Sequence, residues 1–262
     1  MDAHLDSPAP VNLQTDFEDI HLRAEHNWSF VQALRECFTV GSQSMEAALV
    51  PYLDDSIRGT MGEAFPKMGL SDATHQRLLK DMASNKVTSA RSLMDAAAIV
   101  VVQATLDSAV NEYLVLLARF DPKIWEPEVS DEPLPLKAAK DKSYEELLQS
   151  KAMSFAKALS AKSLSKKVQL ILDRCYRGDI ELSPSAFRFD VPRVKAFDDL
   201  RHDIAHGRAM GILVEDMDGL LLFLWQTLLS LQDVVGAHLG VKFNPARHFE
   251  EKAETPPRIL KL

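Results

Sequence analysis

The stretch TSARSLMDAAAIVVVQATLDSAVNEYLVLLARF fills residues 88–120 and sets the architecture. Its apolar residues recur at helical spacing, and its middle, AAAIVVVQATL (residues 96–106), is apolar on several faces at once. A helix that is hydrophobic nearly all round belongs at the centre of a bundle. Thr88 or Ser89 can cap its start, and the Asp121-Pro122 pair stops it after Phe120. About 30 residues of helix make a spine long enough to organise the rest of a domain.

Working outward, the periodicity stays helical, with no alternating strand of useful length and no fixed repeat. The spacing predicts a helix over Thr15–Phe38, with Phe17, Ile20, Ala24, Trp28, Val31 and Leu34 inward and Asp16, Glu18 and Asp19 in its acidic first turn. A second helix is expected over Ser44–Ile57, kinked or broken at Pro51. A loop over residues 58–69 and a short helix capped by Ser71 follow, the latter ending near Ser84. Beyond the spine, WEPEVSDEPLPLK (residues 125–137) is acidic and Pro-rich and reads as a linker without helix. Residues 143–177 read as helix broken near Ser160–Ser163, with Leu164, Val168, Ile171, Leu172 and Cys175 on one face and Gly178 as its C-cap. Asp190 and Pro192 open another helix, which Gly207 ends or bends. Glu215–Leu239 forms the last one. The fold class is therefore all-α. Residues 1–86 form an N-terminal helical extension, 87–242 the main bundle, and 243–262 a polar tail.

Composition limits the function. The chain has 262 residues, 46% hydrophobic and 26% charged, with a net charge of −8. A general nucleic-acid coat protein is basic overall, which this chain is not. The charge is uneven, however: residues 137–178 hold ten basic and four acidic side chains. Such a stretch suits a phosphate backbone or, more simply, a solvated helix face. The longest unbroken apolar run, Ala96–Val102, is short of the ~20 residues a bilayer crossing needs, so no membrane role is expected. The N-terminus shows no secretory signal, and the expected compartment is the cytoplasm. Cys37 and Cys175 are the only cysteines, which excludes a disulfide scaffold and an all-cysteine zinc site; both are expected to be small buried residues.

Most motifs are absent: no phosphate-binding lysine loop, no GxGxxG, no HExxH and no GxSxG. His21 and His26, five apart, share no helix face, and His238 and His248 stand isolated. The adjacent pairs Asp54-Asp55 and Asp198-Asp199 point about 100° apart on a helix and make poor two-carboxylate sites. The segment FDDLRHDIAHG, residues 197–207, is different. Arg201 offers a permanent forked cation that matches phosphate oxygens. His206, four residues beyond it, can exchange a proton near neutral pH. A proton carrier beside a cation supplies what RNA cleavage by its own 2′-OH needs without a metal. The spacing alone is not specific, and Arg201 can equally cap carbonyls or pair with Asp198.

In context, Arg201-His202-Asp203-Ile204-Ala205-His206 resembles the motif of the HEPN superfamily, R-x4–6-H with a polar residue after the arginine. The resemblance covers roughly residues 87–240. It implies an all-helical, HEPN-like bundle, often a metal-independent endoribonuclease with no cofactor. Arg201 and His206 would be the catalytic pair and His202 a supporting polar residue. It also implies RNA as substrate, a homodimer in which two motifs face one cleft, a toxin–antitoxin or antiviral setting, and a regulatory or antitoxin protein as partner. Arg208 stands where HEPN toxins controlled by nucleotidyltransferases carry a tyrosine, so that form of control does not carry over. Two other readings stay open: a non-catalytic protein- or nucleotide-binding scaffold, and an immunity protein whose acidic surface mimics RNA.

Overall fold

A computed structural model describes residues 11–62, 69, 71–130, 142–176, 189–208 and 216–244. Among them the protein is all-α, with seven α-helices and no strand. These are α1 (Val11–Met61), α2 (Asp72–Phe120), α3 (Glu126–Val129), α4 (Tyr144–Leu159), α5 (Leu164–Cys175), α6 (Val191–Ala205) and α7 (Met217–Leu239). A 3₁₀ turn, Pro122–Trp125, joins α2 to α3.

Two helices are longer than the sequence reading expects. The helices expected over Thr15–Phe38 and Ser44–Ile57 are one 51-residue helix that continues through Pro51. The short helix after Ser71 and the spine are one 49-residue helix, running unbroken through Lys86 and Val87. Hydroxyl groups at the expected junctions bond back to their own helix instead. Ser89 Oγ donates to the Asn85 carbonyl (2.8 Å), and Thr39 Oγ1 to that of Arg35 (2.9 Å). This satisfies the side chain without ending the helix.

The expected linker is also partly helical. Pro122 and Pro127 occupy first-turn positions, where a missing N–H costs no hydrogen bond. That lets Trp125 and Val129 sit fully buried, with Trp125 against Phe155 at 5.7 Å. Residues 131–141, like Gly178, residues 179–188 and the tail beyond 244, lie outside the described residues.

The starts of α4 and α6 and the break between α4 and α5 follow the sequence. Ser143 forms a capping box with Glu146, in which each side chain bonds the other's backbone N–H. Asp190 Oδ1 accepts from the Arg193 N–H at 3.0 Å. The expected break at Ser160–Ser163 separates α4 from α5.

Two compact units emerge. One comprises Met1–Glu25, Thr105–Asp198 and Leu222–Leu262, the other His26–Ala104 and Asp199–Leu221. In the first, α1 and α2 run antiparallel, as the Asp16–Arg119 and Arg23–Glu112 ion pairs require. Its core holds Phe17, Tyr113, Leu117, Val168, Ile171 and Leu231. Burial pushes the Tyr113 phenol well above its usual range. Lys167 is also fully buried there. Its Nζ lies 2.5 Å from Asp107 Oδ1 and 2.9 Å from Asn111 Oδ1. In the second unit the antiparallel register continues, with Arg35 on Asp95 (3.2 Å) and Leu53 packed with Leu79 and Ala83.

Helices α2 and α7 are each long and apolar enough to cross a membrane by length and composition, with an 18-residue window of mean hydropathy 1.5. The shares of those windows buried inside the protein are 50% and 61%, the character of core helices in a bundle.

Candidate functional site

The motif residues lie on the last turns of α6 and just beyond it. The inward row of α6 runs Val194, Phe197, Arg201 at three- and four-residue spacing, with Val194 and Phe197 buried and Arg201 half-buried. In the second unit Arg201 Nε donates to Gln103 Oε1 at 3.1 Å, and Gln103 is itself buried on α2. Among the described residues Arg201 makes no ion pair. Asp198 is engaged elsewhere: its carboxylate accepts from the Leu164 N–H at 3.1 Å, at the start of α5. Asp203 lies 3.9 Å from Arg208.

His206 follows the helix, and the glycine after it explains why. Gly207 has φ of 71°, a left-handed conformation favoured by glycine. Its N–H bonds the Ile204 carbonyl (3.0 Å), and the Arg208 N–H bonds that of Asp203 (2.8 Å). These two bonds define a Schellman cap. The chain therefore leaves the helix axis directly after His206, whose ring is exposed. His202 is exposed as well. The two imidazoles, four residues apart, meet edge-on with centroids 4.3 Å apart.

The structure thus brings His202 and His206 together, and Arg201 to Gln103. Arg201 and His206 diverge. Five residues along a helix amount to about 140° around its axis. Gln103 was legible only as an odd polar residue in the run VVVQATL, and the sequence reading does not single it out.

The remaining candidates resolve as follows. His21 is buried, its ring 4.1 Å from Phe243 and 5.6 Å from Trp225, whereas His26 is exposed. His238, expected to be isolated, has Nε2 2.9 Å from Asp121 Oδ2. His248 lies outside the described residues. Cys175 is buried as expected; Cys37 is exposed, because it falls on the outward face of α1. Sequence reading overlooks one further cluster. Asp54 accepts from His75 Nε2 and Arg58 Nε, both at 2.8 Å. The hydrogen bond from His75, then that from Arg58, holds the Asp54 carboxyl below its usual range.

The basic stretch is divided. Lys167 is bound to Asp107, Arg174 to Glu128, and Lys151 to the Val129 carbonyl (3.0 Å). Lys142, Lys157, Lys162 and Lys166 are exposed on the first unit. Among the described residues no group of three or more His, Cys, Asp or Glu is placed to hold a metal ion.

No protein-family model matches this chain, nor does any curated protein or solved structure. Fold and geometry define an all-α protein with an arginine and two histidines at the end of one helix.

Proposed function

We propose that the chain is a metal-independent endoribonuclease of HEPN type, with a HEPN-like bundle around α2, α6 and α7. The observation that carries this reading is the end of α6. There, Arg201 has no carboxylate partner among the described residues, and the Gly207 cap leaves His206 exposed. His206 would take the proton of a ribose 2′-OH. The freed oxygen attacks the adjacent phosphorus, and the 5′-oxygen leaves with a proton. The products are a 2′,3′-cyclic phosphate and a 5′-hydroxyl. Arg201, oriented through Nε by Gln103, would place its terminal nitrogens on the phosphoryl oxygens as their charge grows. His202 would support His206 through their ring contact.

Because Arg201 and His206 point about 140° apart, the reading requires two chains whose motifs face one cleft. It further includes a toxin–antitoxin or antiviral setting in the cytoplasm, with a regulatory or antitoxin protein as partner.

A second reading, a non-catalytic binding scaffold, draws on the half-burial of Arg201 and its bond to Gln103, as in a structural arginine. Purified protein incubated with total RNA in EDTA separates the two. The ribonuclease reading expects cleavage with cyclic-phosphate ends, abolished by Arg201→Ala and by His206→Ala. Undiminished cleavage by the double variant would remove the mechanism.

A further inference from the structure

Helix α1 carries an exposed face that charged residues avoid. Between Asn27 and Leu53 its only charged residues are Arg35, Glu36 and Glu46, where the chain's 26% would supply about seven. Arg35 is turned inward to Asp95. Along one side of the helix the exposed residues are instead apolar. Phe30 is 62% exposed, Leu34 50%, Met45 40% and Tyr52 67%. With Cys37, Gly41 and Ala48 they recur at intervals of four, three, four, four, three and four. All seven therefore fall within an arc of about 80°. The row lies wholly within the second unit.

We infer that this row is the interface for a second copy of the chain, packed antiparallel about a two-fold axis at Gly41. The row is self-complementary about that residue. An antiparallel pair sets Phe30 against the partner's Tyr52, Leu34 against the partner's Ala48, and Cys37 against the partner's Met45. Aromatic meets aromatic, large meets small, and the two glycines meet at the crossing. Outside the helix's own neighbouring backbone, no atom lies within 4 Å of where a Cβ on Gly41 would stand, so the two backbones can approach closely there. A two-fold interface uses one patch on both partners, which is the symmetry this row possesses.

The size fits a dissociable dimer. From Phe30 to Tyr52 the helix rises about 33 Å, and a helix is about 10 Å wide, giving a footprint of roughly 330 Å². Helix α2 exposes Leu93 and Val101 at the same level, as the Arg35–Asp95 contact fixes the register. The row's own footprint is under half of the ~800 Å² per partner of a standard interface, which suits a dimer that dissociates on dilution. A membrane surface fits less well, because between Asn27 and Leu53 there is no lysine and the one arginine, Arg35, is turned inward to Asp95.

The inference does not rest on the ribonuclease reading: a two-fold axis at Gly41 leaves the two motifs roughly 30 Å or more apart along α1, so the shared cleft would be a separate contact, and the test needs no activity. Sedimentation equilibrium of the full chain is expected to give twice the 29.2 kDa chain mass at about 50 µM. Leu34→Glu and Met45→Glu should each weaken the dimer at least about tenfold, with helical circular dichroism unchanged. In the otherwise native chain, Met45→Cys should cross-link to the partner's Cys37 under mild oxidation. Cys37 and position 45 of one helix are about 12 Å apart and cannot bridge within a chain. Gln43→Cys, on the opposite face, should not cross-link. A monomer at that concentration overturns the proposal. So does a dimer indifferent to both glutamates, or equal cross-linking at positions 43 and 45. Loss of RNA cleavage in a protein that stays dimeric would instead count against the ribonuclease reading alone.

Discussion

Lys167 shows what a single residue can reveal once its surroundings are known. It lies among Leu164, Val168 and Ile171, and its ammonium reaches Asp107 and Asn111. Asp107 keeps more than a quarter of its side chain in solvent, whereas Lys167 keeps none. Removing one partner of such a pair is therefore asymmetric. Asp107→Ala leaves a buried cation short of its counter-charge and should cost roughly 3 kcal/mol. Lys167→Met leaves a carboxylate that water can reach and should cost less than about 1 kcal/mol. Chemical denaturation of the two variants checks the order. Asp54 gives a second expectation. Its folded carboxyl titrates below the unfolded one, so its contribution is present above about pH 4 and is lost as pH falls through the depressed value. Melting temperature should thus fall with acid below pH ~4 less steeply in Asp54→Asn than in the parent.

At the scale of the element, Pro51 is the anomaly. It sits inside α1, where its ring removes a hydrogen bond and crowds the preceding turn, yet the helix runs on to Met61. The side chain is exposed, so its replacement loses little packing. Pro51→Ala should raise stability by about 1–3 kcal/mol, read as a higher melting temperature. Sequence reading marks Pro51 as a kink or break, and marks Thr88 or Ser89 as a helix start. Both marks follow sound local rules, yet the long pairing of α1 with α2 prevails. Packing along many turns outweighs one proline or one weak helix former. Where the local signal is strong, sequence and structure agree. Asp190 caps α6, the Ser143–Glu146 box opens α4, and Gly207 closes the motif helix. Each satisfies backbone groups within a few residues, so the sequence states it without help from the fold.

For the whole molecule, the proposed ribonuclease reading calls for a partner chain. If Arg201 of one chain serves with His206 of another, an equimolar mixture of Arg201→Ala and His206→Ala should recover cleavage. Only dimers holding one intact site contribute, so recovery of about a quarter of the parent rate is expected. Mixtures that stay as inactive as either variant alone would place both residues in one chain's site and contradict the shared cleft.

The amino-acid sequence alone determined the helical class, most helix ends and the chemistry available at residues 201–206. Those depend on spacing along the chain, on caps and on residue type, all local quantities. Only the tertiary structure decided that two pairs of expected helices are single helices, and that Arg201 meets Gln103 across nearly a hundred residues of chain. It also decided that Lys167 is buried while Leu34 and Cys37 face outward. A helical period says that a face is apolar. Which neighbour covers that face, or whether any does, is set by contacts between segments far apart in the chain.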